Sequence, residues 1–435
     1  MENKFSDMLQ TRLKEAVAYV LAFGKWLLLA IVVGLLCGVL GSWFHHGVDY
    51  ATELRGEHPW LIWLLPLGGL LIVALYKLAH TEGQGTNNIF DSIRQGKPVA
   101  FLLLPSIFFG TILTHLFGGS AGREGAALQM GGTLGFHAGK LIRLDDADLR
   151  TSTMAGMAAF FTALFGTPVA AAIFSIGVIS VGNIQHAALI PCLAASLTAL
   201  GVAEHMGVVP VHFSVQIPEL SAHMLIYVTV LAAMCALLSV VFCETIHFTG
   251  RQFAKRISNP WIRALAGGAV VAALTALLGT TDYNGAGMDI IAAAVEQGTA
   301  HPAAFLLKLV FTAVTLGAGF KGGEIVPVFF TGATFGCVAA PLLGLHPSFG
   351  AGLGMVSLFC GVTNCPVTSL LLAVELFAGD SPGLLTGHSL GLFAASIGVS
   401  FMLSGYYGLY NGQKFAFSKL RHEPINLRAN EHTER

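Results

Sequence analysis

Long apolar runs alternate with short polar connections over almost the whole chain. Several of these runs approach the roughly 20 apolar residues that a helix needs to cross a bilayer core. They cover residues 18–44, 60–79, 99–117, 186–204, 222–247, 261–280, 303–319 and 386–405. This pattern predicts an all-α integral membrane protein that crosses the bilayer many times.

Between these runs lie shorter apolar segments that glycine and proline interrupt. They cover residues 122–139, 151–164, 168–182, 285–298, 325–343, 349–362 and 366–379. They are too short to span a bilayer comfortably and too apolar to be surface loops. Irregular backbone at membrane depth is tolerated only inside protein or beside a watery cavity. The sequence therefore predicts many tilted and broken helices around an internal polar site.

The interruptions recur at matching places in the two halves of the chain. Glu124 in G-R-E-G and Glu324 in G-G-E-I lie about 200 positions apart, and F-G-T-P around Pro168 is matched by T-N-C-P around Pro366. Matching breaks in two halves are typical of inverted-repeat transporters, whose site lies at the repeat interface. The predicted organisation is an N-terminal helix (1–17), a first membrane repeat (18–205), a linker (206–221), a second membrane repeat (222–421) and a polar tail (422–435). A duplication without a transport role is the alternative.

Composition agrees with a membrane location. Residues are 54% hydrophobic and 11% charged, whereas soluble domains carry about 25% charged residues. A net charge of −1 gives no basic field for nucleic acid. The seven cysteines lack metal-ligand or C-x-x-C spacing and are interpreted as buried apolar residues, so no metal or cofactor is expected. The first 16 residues are polar and precede an apolar run, which favours a cytoplasmic N-terminus and an uncleaved first span.

The stretch G-G-S-A-G-R-E-G-A-A, residues 118–127, places two charges in an apolar environment. Its glycines allow the backbone to approach an ion closely, and a helix that begins there offers unpaired N–H groups and a positive dipole end. The pair Gly322 and Gly323, before Pro327, predicts a second such helix start. Two helix N-termini that converge inside the membrane form an anion site.

Acidic residues in apolar runs are the candidate gates. An intramembrane carboxylate is a functional candidate by default, and Glu124 would compete with an anion when charged and swing away when protonated. Glu324 repeats this logic in the second half. For Arg123 the alternative is a structural role, capping carbonyls or pairing with an acid. Glu244 and Glu375 are interpreted as structural.

A third glycine stretch, T-E-G-Q-G-T-N-N at residues 81–88, combines close-approach glycines with polar side chains. Gly83, Gln84, Gly85 and Thr86 are candidate anion-binding residues. A capped helix start at the membrane surface explains the same pattern.

Three motifs together carry a family resemblance: G-R-E-G at Gly122, F-G-T-P about forty residues later, and the second-half G-x-x-x-P. They resemble the CLC family of chloride channels and proton-coupled anion antiporters over roughly residues 18–421. The resemblance implies a homodimer in a bacterial inner membrane, with cytoplasmic termini and one anion pathway in each subunit. It implies that protons and halide anions, chloride or fluoride, are carried and that Glu124 is the gating carboxylate. The implied anion-binding residues are Gly83, Gln84, Gly85, Thr86, Arg123, Gly125, Gly323, Ile325, Val326, Phe330, Tyr410 and Phe417.

Departures from the family pattern bear on the transported ion. Gln84 stands where the family commonly has a coordinating serine, and Glu324 replaces an apolar residue. The intracellular proton-relay glutamate of many chloride antiporters is absent, since Gly177 and Val178 fall at its position. The run K-G-G-E-I-V-P-V-F-F resembles the fluoride-exporting branch, although that branch has methionine where this chain has Gln84. The C-terminal tyrosine of the family aligns with Phe417, and Tyr410 and Tyr407 are the alternatives.

Three functions compete at this point. The first is a proton-coupled halide antiporter with Glu124 as the outer gate and Glu324 as the inner proton acceptor. The second is a passive anion channel on the same scaffold. The third is an intramembrane serine hydrolase that uses Ser120 in G-G-S-A-G, although a nucleophile elbow needs a preceding strand, and the preceding run is long enough for a membrane helix. The antiporter is preferred, and no enzymatic activity is expected.

Overall fold

The computed structural model describes residues 2–218, 221–379, 387–421 and 423–430, and most of these are helical. The first half contains α1 (Glu2–Glu57), α2 (Leu65–Leu78), α3 (Thr86–Gln95), α4 (Leu103–Leu116), α5 (Glu124–Leu141), α6 (Asp146–Phe165), α7 (Pro168–Gly177) and α8 (Leu189–His205). The second half contains α9 (Ala222–Arg256), α10 (Pro260–Leu278), α11 (Met288–Glu296), α12 (Ala304–Gly317), α13 (Ile325–Ala339), α14 (Pro347–Thr363), α15 (Pro366–Phe377) and α16 (Gly387–Leu403). Short 3-10 turns cover Pro59–Leu64, His186–Ala188 and Ala340–Leu343. The predicted helical class is confirmed.

Helix length separates full spans from partial ones. Six helical segments within the described residues are long and apolar enough to cross a membrane: Thr11–Glu57, Pro59–Leu78, His186–His205, His223–Arg256, Pro260–Leu278 and Ile325–Leu343. The predicted runs 99–117 and 303–319 form the shorter helices α4 and α12, of 14 residues each. Conversely, 325–343 was expected to be incomplete and reaches 19 residues because a 3-10 turn follows α13.

The internal repeat is visible as two matching helix pairs, α5 with α6 and α13 with α14. Glycines bring each pair into backbone contact: a Cβ on Gly131 would lie 2.2 Å from the carbonyl oxygen of Gly156, and one on Gly332 would lie 2.4 Å from that of Gly354. Small residues at such crossings are typical of packed membrane helices. The same close contact in both halves confirms the duplicated architecture.

The repeats are also joined directly at their broken helices. The Glu375 carboxylate on α15 accepts hydrogen bonds from the backbone N–H groups of Val169 and Ala170, both at 2.8 Å, and so caps the start of α7. The predicted linker is non-helical over residues 206–218, where the Phe213 N–H donates to the Leu376 carbonyl oxygen at 2.9 Å. Residues 219–220 lie outside the described part.

Two features differ from the predicted organisation. The expected boundary at residue 17 lies inside the single helix α1, which runs from Glu2 to Glu57. A three-stranded sheet was not predicted: β1 (Ser180–Val181) pairs in parallel with β2 (Lys414–Phe417), which pairs antiparallel with β3 (Pro424–Arg428). Part of the predicted tail (422–435) is therefore a packed strand, whereas 422 and 431–435 lie outside the described residues.

Candidate functional site: an anion pocket at converging helix starts

The starts of α5 and α13 meet through a short backbone bridge. The Gly122 N–H donates to the Gly323 carbonyl oxygen at 2.7 Å, and the Gly323 N–H donates to the Gly122 carbonyl oxygen at 2.7 Å. Arg123 and Glu324 are the N-cap residues of the two helices. The bridge therefore holds two positive helix ends side by side at the junction of the two repeats.

Glycine is required at this bridge by the closeness of the two backbones. A Cβ on Gly323 would lie 2.3 Å from the Gly125 nitrogen, and one on Gly125 would lie 2.6 Å from the Gly323 Cα. Gly322 has φ +155, a backbone conformation that side chains disfavour. The sequence predicts that these glycines allow close approach of an ion. In the structure they also allow the two helix starts to approach each other.

The Glu124 side chain folds back over the start of its own helix. Its Oε2 atom accepts a hydrogen bond from the Arg123 backbone N–H at 3.0 Å. Its Oε1 atom lies 3.7 Å from the Arg123 Nε atom and has no hydrogen-bond partner among the described residues. The residue is only 1% exposed. A buried carboxylate thus occupies the space in front of a helix N-terminus, which is where an anion would bind.

The Arg123 guanidinium is tied to α1. Its Nη1 atom lies 2.8 Å from Asp49 Oδ1, and the other carboxylate oxygen of Asp49 lies 2.9 Å from His45 Nε2. Arg123 and Asp49 line a vestibule of about 560 Å³, together with Glu53, Arg55 and residues 281–290 in part. The structural role considered for Arg123 therefore applies to its side chain, while its backbone N–H serves Glu124. Asp49 was not predicted from the sequence, since no local motif connects it to Arg123.

On the other side of the bridge lies a second cavity of about 230 Å³, here called the Glu324 pocket. It is lined by Gln84, Gly85, Thr86, Asn87, Ile107, Gln129, Leu316, Phe320, Lys321, Gly322, Glu324, Leu409 and Tyr410. Because α3 begins at Thr86, a third helix N-terminus contributes to this pocket. The predicted capped helix start is present as well, since Asn88 Oδ1 accepts a hydrogen bond from the Gly85 N–H at 2.9 Å.

Two lining side chains present polar atoms without partners. The Gln129 amide nitrogen donates to Thr86 Oγ1 at 3.2 Å, while its Oε1 atom has no hydrogen-bond partner among the described residues. Tyr410 is 3% exposed, its ring contacts Phe90 with centroids 5.2 Å apart, and its hydroxyl has no described partner. Gln129 lies one and a half turns beyond Glu124 on α5 and has no sequence signal of its own.

Several predicted site residues lie away from the pocket lining. Phe417 is in β2, is 44% exposed and lies near Gly182. Of the C-terminal aromatic candidates, the residue that lines the pocket is Tyr410. Phe330 packs on Tyr283, with ring centroids 6.3 Å apart, and below the Lys308 ammonium, 5.0 Å from its ring. Ile325 and Val326 are buried in α13, and Gly83 lines a neighbouring cavity. Arg123, Glu124, Gly125 and Gly323 lie at the bridge and are likewise outside the lining of the Glu324 pocket.

Ser120 has the environment of a structural residue. Its hydroxyl lies 3.0 Å from Thr312 Oγ1 and its N–H donates to Thr315 Oγ1 at 3.0 Å. The element before it is the helix α4, not the strand of a nucleophile elbow. A helix therefore precedes Ser120, as expected, although it is shorter than the membrane-spanning run that was predicted. Among the described residues, no cluster of three or more His, Cys, Asp or Glu side chains has metal-binding geometry.

The fold and the pocket together define a class of protein: an integral membrane protein of two inverted repeats, with a polar pocket where their broken helices meet. Residues 68–400 match the family model described as voltage gated chloride channel, and this chain belongs to that family, the CLC proteins.

Relatives and solved structures resemble nearly the whole chain. A chloride/fluoride channel protein of Pseudomonas syringae pv. tomato is 36% identical over 410 residues, which are 92% of this chain and 88% of the relative. The H(+)/Cl(−) exchange transporter ClcA of Vibrio parahaemolyticus is 27% identical over 80% of this chain and 81% of its own length. A crystal structure of a CLC-type fluoride/proton antiporter has a TM-score of 0.85 at 31% identity, covering 90% of this chain and 98% of that one. A slow cyanobacterial Cl−/H+ antiporter at 21% identity shares the fold, with a TM-score of 0.72.

Proposed function

We propose that this protein is a proton-coupled halide antiporter in which Glu124 is the gate. The observation that carries the proposal is the position of the Glu124 carboxylate, which is buried at the start of α5 and bonded to a backbone N–H. A halide needs the same N–H groups and the same positive helix end. Anion and charged carboxylate therefore exclude each other, and protonation of Glu124 frees the site.

Glu324 is proposed as the second proton-carrying group. It lines the pocket from the start of α13, beside Lys321 and opposite the α3 start. At the position of the family's usual proton relay, Gly177 ends α7 and supplies no acid. A carboxylate at Glu324 offers protons a place to leave the pocket on the side away from Arg123.

The carried anion is proposed to be fluoride or chloride, which the names of the relatives mention. Gln129, Thr86 and Tyr410 give the Glu324 pocket an amide and two hydroxyls in addition to backbone N–H groups. Such a lining offers a monovalent anion neutral hydrogen-bond donors in addition to the Lys321 side chain.

We propose further that two copies associate in the inner membrane of a bacterium, each with its own pathway and with both termini in the cytoplasm. Apolar side chains such as Val169, Val367 and Leu197 remain 39–51% exposed in one chain, and they would be covered by lipid or by the second copy. Cross-linking of the reconstituted protein measures this, and a monomer at all protein-to-lipid ratios would contradict it.

The direct test is the reversal potential in a bilayer with opposed proton and halide gradients, measured first with fluoride and then with chloride. We expect a potential that follows both gradients for at least one halide. A potential set by the halide gradient alone would instead indicate the passive channel.

A variant tests the gate itself. We expect Glu124→Gln, which mimics the protonated acid, to retain halide flux and to lose proton movement. Glu244→Gln is the matched control, because Glu244 pairs with Arg251 at 3.7 Å, away from the pocket, and should keep wild-type coupling. Uphill proton movement in Glu124→Gln would contradict the proposed gate.

A further inference from the structure

Two carboxylates share one largely buried cation beside the bridge. The Arg123 side chain lies between Asp49 on α1 and Glu124 at the start of α5. Its Nη1 atom donates a hydrogen bond to Asp49 Oδ1 at 2.8 Å. Its Nε atom lies 3.7 Å from Glu124 Oε1, which is too far for a hydrogen bond. The guanidinium is therefore bound to α1 and contacts the Glu124 carboxylate only weakly.

The Glu124 carboxylate consequently uses only one of its two oxygens. Oε2 accepts the Arg123 backbone N–H at 3.0 Å, whereas Oε1 is buried and has no hydrogen-bond partner in the described chain. Buried polar atoms are normally satisfied, and a hydrogen bond from a guanidinium to a carboxylate is about 2.7–2.9 Å long. A movement of roughly 1 Å by the guanidinium would complete such a bond to Oε1. The hydrogen bond to Asp49 opposes that movement.

Asp49 is itself held in place from its own helix. Its Oδ2 atom lies 2.9 Å from Nε2 of His45, one turn earlier on α1, so each of its two oxygens has a partner. Its side chain is 53% exposed and faces the vestibule. The other charged or titratable groups of the vestibule lining are Glu53 and Arg55 on α1, His115 on α4, and Asp282 and Asp289. Across the bridge, Glu324 faces the start of α5, since a Cβ on Gly125 would lie 3.0 Å from its Oε2 atom.

We infer that Asp49 is a positioning residue of the gate, which keeps the Glu124 carboxylate weakly bound by holding the Arg123 guanidinium on α1. The inference rests on the proposed function and deepens it by naming what limits the strength with which the gate closes. Removal of Asp49 has two effects of the same sign. The guanidinium becomes free to bond Oε1, and one negative charge near Glu124 disappears. Both effects favour the charged, closed form of the gate, so more acid is needed to open it.

The test measures the initial rate of halide efflux from liposomes at a series of symmetric pH values. Asp49→Ala removes the acceptor, and Asp49→Asn removes only its charge. We expect the pH of half-maximal efflux to fall by about one unit in Asp49→Ala, a tenfold change in the acid needed, and to move in the same direction in Asp49→Asn. Glu53→Gln is the matched control, because Glu53 lies one turn further along α1 in the same vestibule and is not an ion-pair partner of Arg123 in the described chain. No shift in either Asp49 variant, or an equal shift in Glu53→Gln, would overturn the inference.

A double substitution shows whether Asp49 acts through the gate. Efflux by Glu124→Gln should no longer depend on pH in this range, and the addition of Asp49→Ala should leave its rate unchanged. A further slowing by Asp49→Ala in that background would contradict an action through Glu124. If Glu124→Gln alone keeps the wild-type pH profile and wild-type proton movement, the proposed function itself fails, whatever the Asp49 variants show.

A crystal structure of Asp49→Ala checks the geometry directly. We expect a guanidinium nitrogen of Arg123 to lie within about 3 Å of Glu124 Oε1, at the length of a charge-assisted hydrogen bond. A guanidinium that stays at the present 3.7 Å would contradict the competition between the two carboxylates.

Discussion

Replacement of Gly323 by alanine tests whether the glycine bridge builds the pocket. The new Cβ would lie 2.3 Å from the Gly125 nitrogen, whereas ordinary contacts of a Cβ begin at 3.4 Å. The two helix starts must therefore separate by about 1.1 Å, and both bridge hydrogen bonds, now 2.7 Å, lengthen to about 3.8 Å if the movement follows the bonds. Neither remains a hydrogen bond at that length.

The cost follows from these two effects. Two hydrogen bonds contribute about 1 kcal/mol each, and overpacking a fixed backbone costs about 1–3 kcal/mol. Because the effects overlap, we expect Gly323→Ala to lower the free energy of unfolding by about 2–4 kcal/mol. The separated helix starts also hold the backbone N–H groups of the site further apart, which weakens halide binding. Since about 1.4 kcal/mol corresponds to a tenfold change in affinity, we expect halide affinity to fall tenfold or more.

Titration calorimetry with fluoride and chloride measures the affinity, and thermal unfolding of the purified protein measures the stability. Gly201→Ala in α8 is the matched control, because a Cβ there meets nothing within 4 Å and alanine is the better helix former. If Gly323→Ala and Gly201→Ala bind halide and unfold alike, the bridge does not build the site.

Three other substitutions separate binding, coupling and stability. Glu324→Gln should lower the number of protons moved per halide while halide flux continues, and an unchanged stoichiometry would leave Glu324 as a structural N-cap. Glu375→Ala removes both acceptors from the start of α7 and should lower the free energy of unfolding by about 2 kcal/mol, with wild-type ion coupling; equal unfolding midpoints in denaturant would refute the capping role. Tyr410→Phe removes a hydroxyl that has no described partner, so halide affinity in calorimetry should fall severalfold with unchanged thermal stability, whereas Phe417→Leu should leave affinity unchanged. An equal effect of the two aromatic substitutions on affinity would contradict the position of Tyr410 in the pocket.

The sequence predicted most helix starts of the site because local chemistry determines them. Proline at the first turn marks α7 and α15, and the glycines of G-R-E-G and G-G-E mark α5 and α13. The lengths of α4 and α12 were overestimated, since apolar residues continue into the turns that flank each helix. The sheet was missed because β1 has two residues and pairs with a strand more than 230 positions later.

The site residues that the sequence did not predict were missed for one common reason. Asp49 and Gln129 reach the site from α1 and α5, and no motif of their own marks them. Motif reasoning finds side chains that lie within a few positions of a glycine turn. The choice between Tyr410 and Phe417 also depends on tertiary packing: a ring contact with Phe90 on α3 fixes the position of Tyr410, and no periodicity in that segment indicates it.

The spread of the pocket lining along the chain has a consequence for biosynthesis. The lining begins at Gln84 and ends at Tyr410, so at about 5–20 residues per second the ribosome needs about 16–65 s to supply the last wall after the first. Until then the membrane contains a nascent chain in which the early helix starts of the pocket lack the later residues that complete it. Because the two halves of the bridge also come from different repeats, a partly synthesised chain has no complete ion pathway. The chain can therefore be inserted helix by helix without opening an ion leak across the membrane before synthesis ends.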